Sequence, residues 1–243
     1  MPREKKKSVE SARKRTAVYI DGYNLYYGRL RGSAYKWLDV VALSDSIIRI
    51  QDPTSSVDAV KLFTAHALAT FATHGQDSVI AQQSYHRALR QLYSDRVQIT
   101  LGIHSFDKTG TLLPVFIEGT PYDREHRARV WKLEEKQTDV NLAIAMYRDA
   151  SKGLFEQQVV VTNDSDAEPT LKAIREDFPH ITIGVITPIR PPSAGRFRSI
   201  SASLERHAHW MRRYILDAEL AAAQLPAHVP TNKKPIRKPP HWC

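Results

Sequence analysis

An α/β fold with a parallel sheet covered by helices on both faces is what the sequence predicts, and three observations predict it. Short apolar runs such as TAVYI and VVVT read as strands buried on both sides. They alternate with amphipathic segments at helical spacing. Acidic residues stand where the runs stop: Asp21 after TAVYI, and Asp164 and Asp166 after VVVT.

The elements follow in order. Ala17 to Ile20 is a first strand that stops at Asp21-Gly22, where glycine permits a tight turn. Asp39 precedes a helix carrying Val40, Leu43, Ile47 and Ile50 on one stripe, ended by Asp52-Pro53. Ala59 to Leu68 is a second strand, Ser78 to Ser94 a helix and Val97 to Ile103 a third strand. The period breaks from Phe106 to Glu135, so residues 106–135 read as an insertion. A helix from Thr138 to about Ala150, a strand from Gln158 to Thr162, a helix with Pro169 in its first turn and a strand from Ile181 to Ile186 complete the series. Beyond the break at Pro188 to Pro192, residues 191–225 are expected to close the fold, with one long helix from Ser199 to about Leu225.

A chain of 243 residues, 42% hydrophobic and 25% charged, is long enough for one full core, placed at residues 16–190. No apolar stretch approaches the ~20 residues that cross a bilayer, and no secretory segment precedes the first strand, so a cytoplasmic location is expected. The single cysteine, Cys243, excludes an internal disulfide and a cysteine-rich zinc site. Residues 1–15 hold seven Lys and Arg against two Glu, and residues 226–243 hold four and no acid; together they account for the whole net charge of +9. The globular part is therefore electrically balanced. The two ends read as cationic arms that either bind a polyanion by counterion release or keep the chain soluble.

The carboxylates carry the chemistry. Asp139 shares its helix stripe with Ala143 and Met146, so it points along the apolar side, where a charge needs a cation or hydrogen bonds; a simple helix cap is the alternative. Asp164 and Asp166 are an i, i+2 pair that a divalent ion would relieve, or an Asx-turn leading into a helix. With Asp21 they suggest an oxygen-only Mg²⁺ or Mn²⁺ site. His207 and His209 lie two apart on different helix faces and suggest no metal.

IDGYNLYY, KQTDVNLA and VVVTNDSDAEPTL together resemble, in order, the three motifs of the NYN domains of the PIN-like nuclease superfamily, over most of residues 16–190. The resemblance implies a three-layer fold with sheet order 3-2-1-4-5 and Asp21, Asp139, Asp164 and Asp166 as catalytic, metal-binding carboxylates. It implies Asn24 as a polar neighbour and Lys136 as a phosphate-facing cation. Asn163 and Ala167 depart from the family's glycine and phenylalanine. The function implied is a metal-dependent endoribonuclease, in which a metal-bound water attacks the phosphodiester. Arg29, Arg124, Arg127 and Arg129, interleaved with aromatics such as Tyr23, Tyr26, Tyr27, Tyr122 and Trp131, would contact single-stranded or structured RNA. A homodimer is compatible with some of these rings lying at a subunit contact. Two other classes stay open. One is a non-catalytic RNA-binding or interaction module. The other is an NADH-dependent monooxygenase, because IDGYNLYYGRLRG is also similar to proteins described as 6-hydroxy-3-succinoylpyridine hydroxylases of nicotine degradation; no G-x-G-x-x-G or flavin fingerprint accompanies it.

Overall fold

The computed structural model describes residues 13–192 and 198–242. In chain order the elements are β1 (Lys14–Asp21), α1 (Gly22–Leu25) running into a π-helical turn (Tyr26–Leu30), α2 (Val40–Gln51), β2 (Ser55–Ala65), α3 (Gln76–Leu92) and β3 (Val97–Phe106). The hairpin β4 (Thr111–Pro114) and β5 (Arg127–Val130), then β6 (Leu133–Lys136), α4 (Thr138–Ser151), β7 (Gln157–Val161), a 3-10 turn (Ser165–Ala167), α5 (Glu168–Asp177) and β8 (Thr182–Ile186) follow. The chain closes with α6 (Ala202–His207), β9 (Trp210–Arg212), α7 (Asp217–Ala222), the hairpin β10 (His228–Val229) and β11 (Ile236–Arg237), and a 3-10 turn (Pro240–Trp242).

The fold is mixed α/β around a large, mostly parallel sheet. The sheet has seven strands where five are expected, in the order β6-β3-β2-β1-β7-β8-β9: the five strands read from the sequence stand side by side, and β6 and β9 are added at the edges. β6 runs antiparallel on β3 at one edge, and β9 adds three parallel residues beside β8 at the other. Ala17 to Ile20 of β1 are all apolar because this stretch is buried on both faces. Its even positions, Val18 and Ile20, join a core with Trp37, Leu43, Ile47 and Leu89; Ala17 and Tyr19 join another with Leu142, Met146, Leu171 and Ile174.

The C-terminal quarter corrects two expectations. The long helix from Ser199 to Leu225 does not form: α6 ends at His207, and β9 completes the sheet edge, where unpaired backbone groups of β8 are met. Gly184 makes the approach possible, since a Cβ there would lie 2.2 Å from the Trp210 ring. Trp210 Nε1 also donates to Gln157 Oε1 at 2.9 Å. Residues 226–242 are no free basic arm. Val229 and Ile236 are buried, Trp37 Nε1 donates to the Pro226 carbonyl at 2.9 Å, and the Trp242 ring lies 6.1 Å from that of Trp37. At the other end, residues 1–12 of the expected arm lie outside the described residues, whereas Lys14 and Arg15 belong to β1 and pair with Asp52 and Glu156.

Candidate active site

Parallel pairing of β1 with β7 sets Ile20 beside Val161, so Asp21 and Thr162 emerge together at the C-terminal edge of the sheet. Asp21 is 3% exposed. Its Oδ1 accepts from Asn24 N at 2.9 Å, and its Oδ2 accepts from Asn24 Nδ2 at 2.7 Å and Thr162 Oγ1 at 2.9 Å. Burial pushes the Asp21 carboxyl above its ordinary pKa, and these hydrogen bonds oppose the push. Asn24 Oδ1 accepts in turn from Asn163 N at 3.3 Å, tying α1 to the end of β7.

Asp164 N donates to Thr162 Oγ1 at 3.1 Å, and Asp164 Oδ1 accepts from Asp166 N at 3.1 Å, which makes Asp164 the cap of the following 3-10 turn. Asp139 comes from the first turn of α4. The four carboxylates line one pocket with Leu142, Ala143, Thr162 and Ala167, so the sequence-expected set does converge. Partial burial, followed by the charges of Asp21, Asp164, Glu135 and Asp166, raises the Asp139 carboxyl to about 6.

The entry of α4 into this pocket is tightly built. Gln137 caps it with φ of 77°, a left-handed backbone uncommon outside glycine. Glu135 Oε1 accepts from Thr138 N at 3.0 Å and from the Thr138 hydroxyl. Gly102 on β3 allows the approach: a Cβ there would stand 2.5 Å from Thr138 Oγ1. Beside the pocket the Tyr23 hydroxyl bonds His104 Nε2 at 2.8 Å, and the Tyr23 and Tyr27 rings stack at 6.1 Å. Burial raises the Tyr23 pKa and lowers that of His104.

The other expected contacts do not gather at the carboxylates. Lys136 pairs with Glu134 at 3.0 Å. Arg124 pairs with Glu125, Arg127 donates to the Arg124 carbonyl, and Arg129 donates to the carbonyls of Thr109 and Gly110. Arg29 is buried and pairs with Asp217. Thr162, Glu135 and His104 were missed. Thr162 was legible as a hydroxyl at a strand end, but the other two reach the site only through the pairing of β3 with β6.

No known protein-family profile matches the chain. The chain is 39% identical, over 249 residues spanning 97% of it and 78% of the relative, to 6-hydroxy-3-succinoylpyridine 3-monooxygenase HspA of Pseudomonas putida. It belongs to the family of this monooxygenase. The relative is named for an oxygenation, and that overturns the ribonuclease reading together with its hydrolase chemistry. The expected Mg²⁺ or Mn²⁺ cofactor falls with it. Among the described residues no three His, Cys, Asp or Glu side chains are placed to hold a metal ion. Both Asp21 oxygens and one of Asp164 accept from internal donors instead. A crystal structure of a protein of unknown function from Vibrio parahaemolyticus is similar with a TM-score of 0.48 and 14% identity, covering 85% of this chain and 96% of that one; at that level it adds nothing on fold or function. No helix among the described residues is long and apolar enough to cross a membrane.

Proposed function

We propose that this protein is a monooxygenase acting on a hydroxylated pyridine that carries a keto-acid chain, 6-hydroxy-3-succinoylpyridine or a near analogue. The observation that carries the proposal is the 39% identity over 97% of the chain to a monooxygenase named for that substrate. Ring carbon 3 already carries the keto-acid chain, so the new C–O bond replaces the ring-to-acyl bond. One atom of O₂ becomes the hydroxyl on carbon 3, the other is reduced to water, and the chain departs. With two electrons from the reductant, water adds to the acyl carbon and the chain leaves as the diacid; with four electrons it leaves as the aldehyde. Ring positions 3 and 6 are para to each other, so loss of the 6-hydroxyl proton feeds electron density to the carbon that receives oxygen.

Asp139 suits the role of base. Its carboxyl is raised to about 6, close enough to neutrality to be ionised in the resting enzyme and still take a proton. The transfer also relieves crowding, because it removes one negative charge from the set that Asp21, Asp164 and Asp166 form and places it on the ring. The stacked Tyr23 and Tyr27 beside this edge offer an aromatic face to a pyridine.

Oxygenation implies a reductant such as NAD(P)H or a flavin. The acidic edge does not fit a dinucleotide there. A dinucleotide's pyrophosphate needs free N–H groups at a helix N-terminus, whereas α1 is capped by Asp21 itself and three further carboxylates line the same pocket. Purified protein should therefore be tested for oxidation of NADH or NADPH, with and without added flavin. Oxidation that starts only when 6-hydroxy-3-succinoylpyridine is added supports the proposal. No substrate-dependent oxidation under any of these conditions overturns it.

A further inference from the structure

The segment that leaves the acidic edge carries a cation buried with too few partners. Arg29 lies in the π-helical turn Tyr26–Leu30 and is 1% exposed. Its Nη2 donates to Asp217 Oδ1 at 2.5 Å. Its Nε and Nη1 are buried and, among the described residues, meet no hydrogen-bond partner. A guanidinium cannot give up its charge, so buried donors of this kind call for an acceptor. Among the described residues the one carboxylate paired with it, that of Asp217, is itself 67% exposed, so most of its charge is spent on water. π-Helical turns are rare and recur at functional sites.

We infer that Arg29 is an anion-binding residue, and that it receives the carboxylate of the substrate's keto-acid chain. The donor geometry leaves one fork for it. A guanidinium offers two forks, Nε with Nη2 and Nη1 with Nη2, and each fork uses one Nη2 hydrogen. Asp217 engages Nη2 alone, so one complete fork remains for a second carboxylate. The Arg29 side chain is fully covered and Asp217 is exposed, so a ligand carboxylate would reach the guanidinium from the Asp217 side.

The identity of the ligand rests on the monooxygenase proposal; the anion site itself does not. A carboxylated substrate whose ring hydroxyl faces Asp139 cannot put its acid group there as well, because four aspartates repel it. Arg29 lies eight positions beyond Asp21, ~12 Å along the segment at helical rise, a span in keeping with a pyridine bearing a four-carbon chain.

The test uses the full chain with 6-hydroxy-3-succinoylpyridine, its carboxamide, and the simple pair levulinate and levulinamide. By calorimetry the acid should bind at least tenfold tighter than the amide, and Arg29→Gln should remove that preference, raising KM more than it lowers kcat. The ¹⁵Nε resonance of Arg29 should shift with levulinate and not with levulinamide, a signature that a purely structural arginine lacks. Should Arg29→Gln fail to fold, Asp217→Asn keeps the test: it withdraws the internal acid, and levulinate should then raise the thermal midpoint more than levulinamide at equal ionic strength. Equal binding of acid and amide, or an unmoved Nε resonance, overturns the inference. Acid-selective binding at Arg29 without any turnover leaves the anion site standing and removes the monooxygenase reading. Turnover that treats acid and amide alike does the reverse.

Discussion

Asp21 and Arg29 stand at the two ends of one helical segment, and their surroundings are opposite in kind. Asp21 has three internal donors and three carboxylates lining the same pocket, whereas Arg29 has, among the described residues, one partner and two nitrogens without one. Burial first and the neighbouring carboxylates second favour the protonated form, so the Asp21 end becomes basic and Asp139 rises to about 6. A guanidinium has no such escape and keeps its charge until an anion comes. One end is therefore built to exchange a proton and the other to hold a charge, which suits a substrate with a titrating ring at one end and a permanent acid at the other.

The sharpest way to break this contrast is Asp139→Asn. It should lower kcat by about 10²–10⁴ while changing KM less, the inverse of the Arg29 result, because the carboxamide cannot accept the ring proton. Steady-state kinetics with circular dichroism as a control for folding will show it, and a kcat within a few-fold of the parent would remove Asp139 from the mechanism.

The positive end depends on the C-terminal quarter, since Asp217 begins α7 and α7 packs in the core that also holds Ile236 and Val229. Ile236→Ala should cost about 2–5 kcal/mol in a denaturant titration, as for other buried isoleucines. A change below ~0.5 kcal/mol would mean that residues 226–242 are the loose basic arm that their composition suggests.

The negative end should show in pH dependence. With the folded carboxyl at about 6, Asp139 must be ionised to act, so kcat should rise with pH through about 6 and the Asn variant should lose that limb. Stability moves the other way. The folded state holds this proton more tightly than the unfolded chain, so the contribution of Asp139 is favourable in acid and is lost as pH rises through about 6. Asp139→Asn should accordingly be more stable than the parent at pH 8, with the advantage fading by pH 5; a constant difference in thermal midpoint across that range would contradict the assignment.

Gln137→Gly is the smallest effect expected. It relieves the left-handed backbone at the start of α4 and should add up to ~1 kcal/mol in a denaturant titration, leaving kcat unchanged. A loss of stability would show that the Gln137 side chain itself holds the entry of α4.

Much of the negative end was legible in the sequence, and little of the positive one. The apolar run before Asp21 could only be a strand buried on both faces, and Asp39 caps α2 by accepting from Val41 N and Ala42 N, as its place before an amphipathic stripe suggests. The carboxylates converge because adjacent parallel strands end at one edge. Arg29 read as an exposed cation among tyrosines, since nothing local marks its burial; its partner lies 188 positions away. β9 was hidden for a related reason. Three residues have no pattern of their own, and the unpaired edge of β8 overrides the helical spacing around them. The carboxylate pattern also suggested a metal, because spacing shows that acids meet but not that internal donors already hold them.

The most direct measurement is the origin of the oxygen in the product. Turnover of 6-hydroxy-3-succinoylpyridine with a reductant under ¹⁸O₂ in ordinary water should give a ring product heavier by one ¹⁸O by mass spectrometry, and turnover under ordinary O₂ in H₂¹⁸O should give a ring hydroxyl free of label. Label drawn from water, or product formed without O₂, would contradict a monooxygenase.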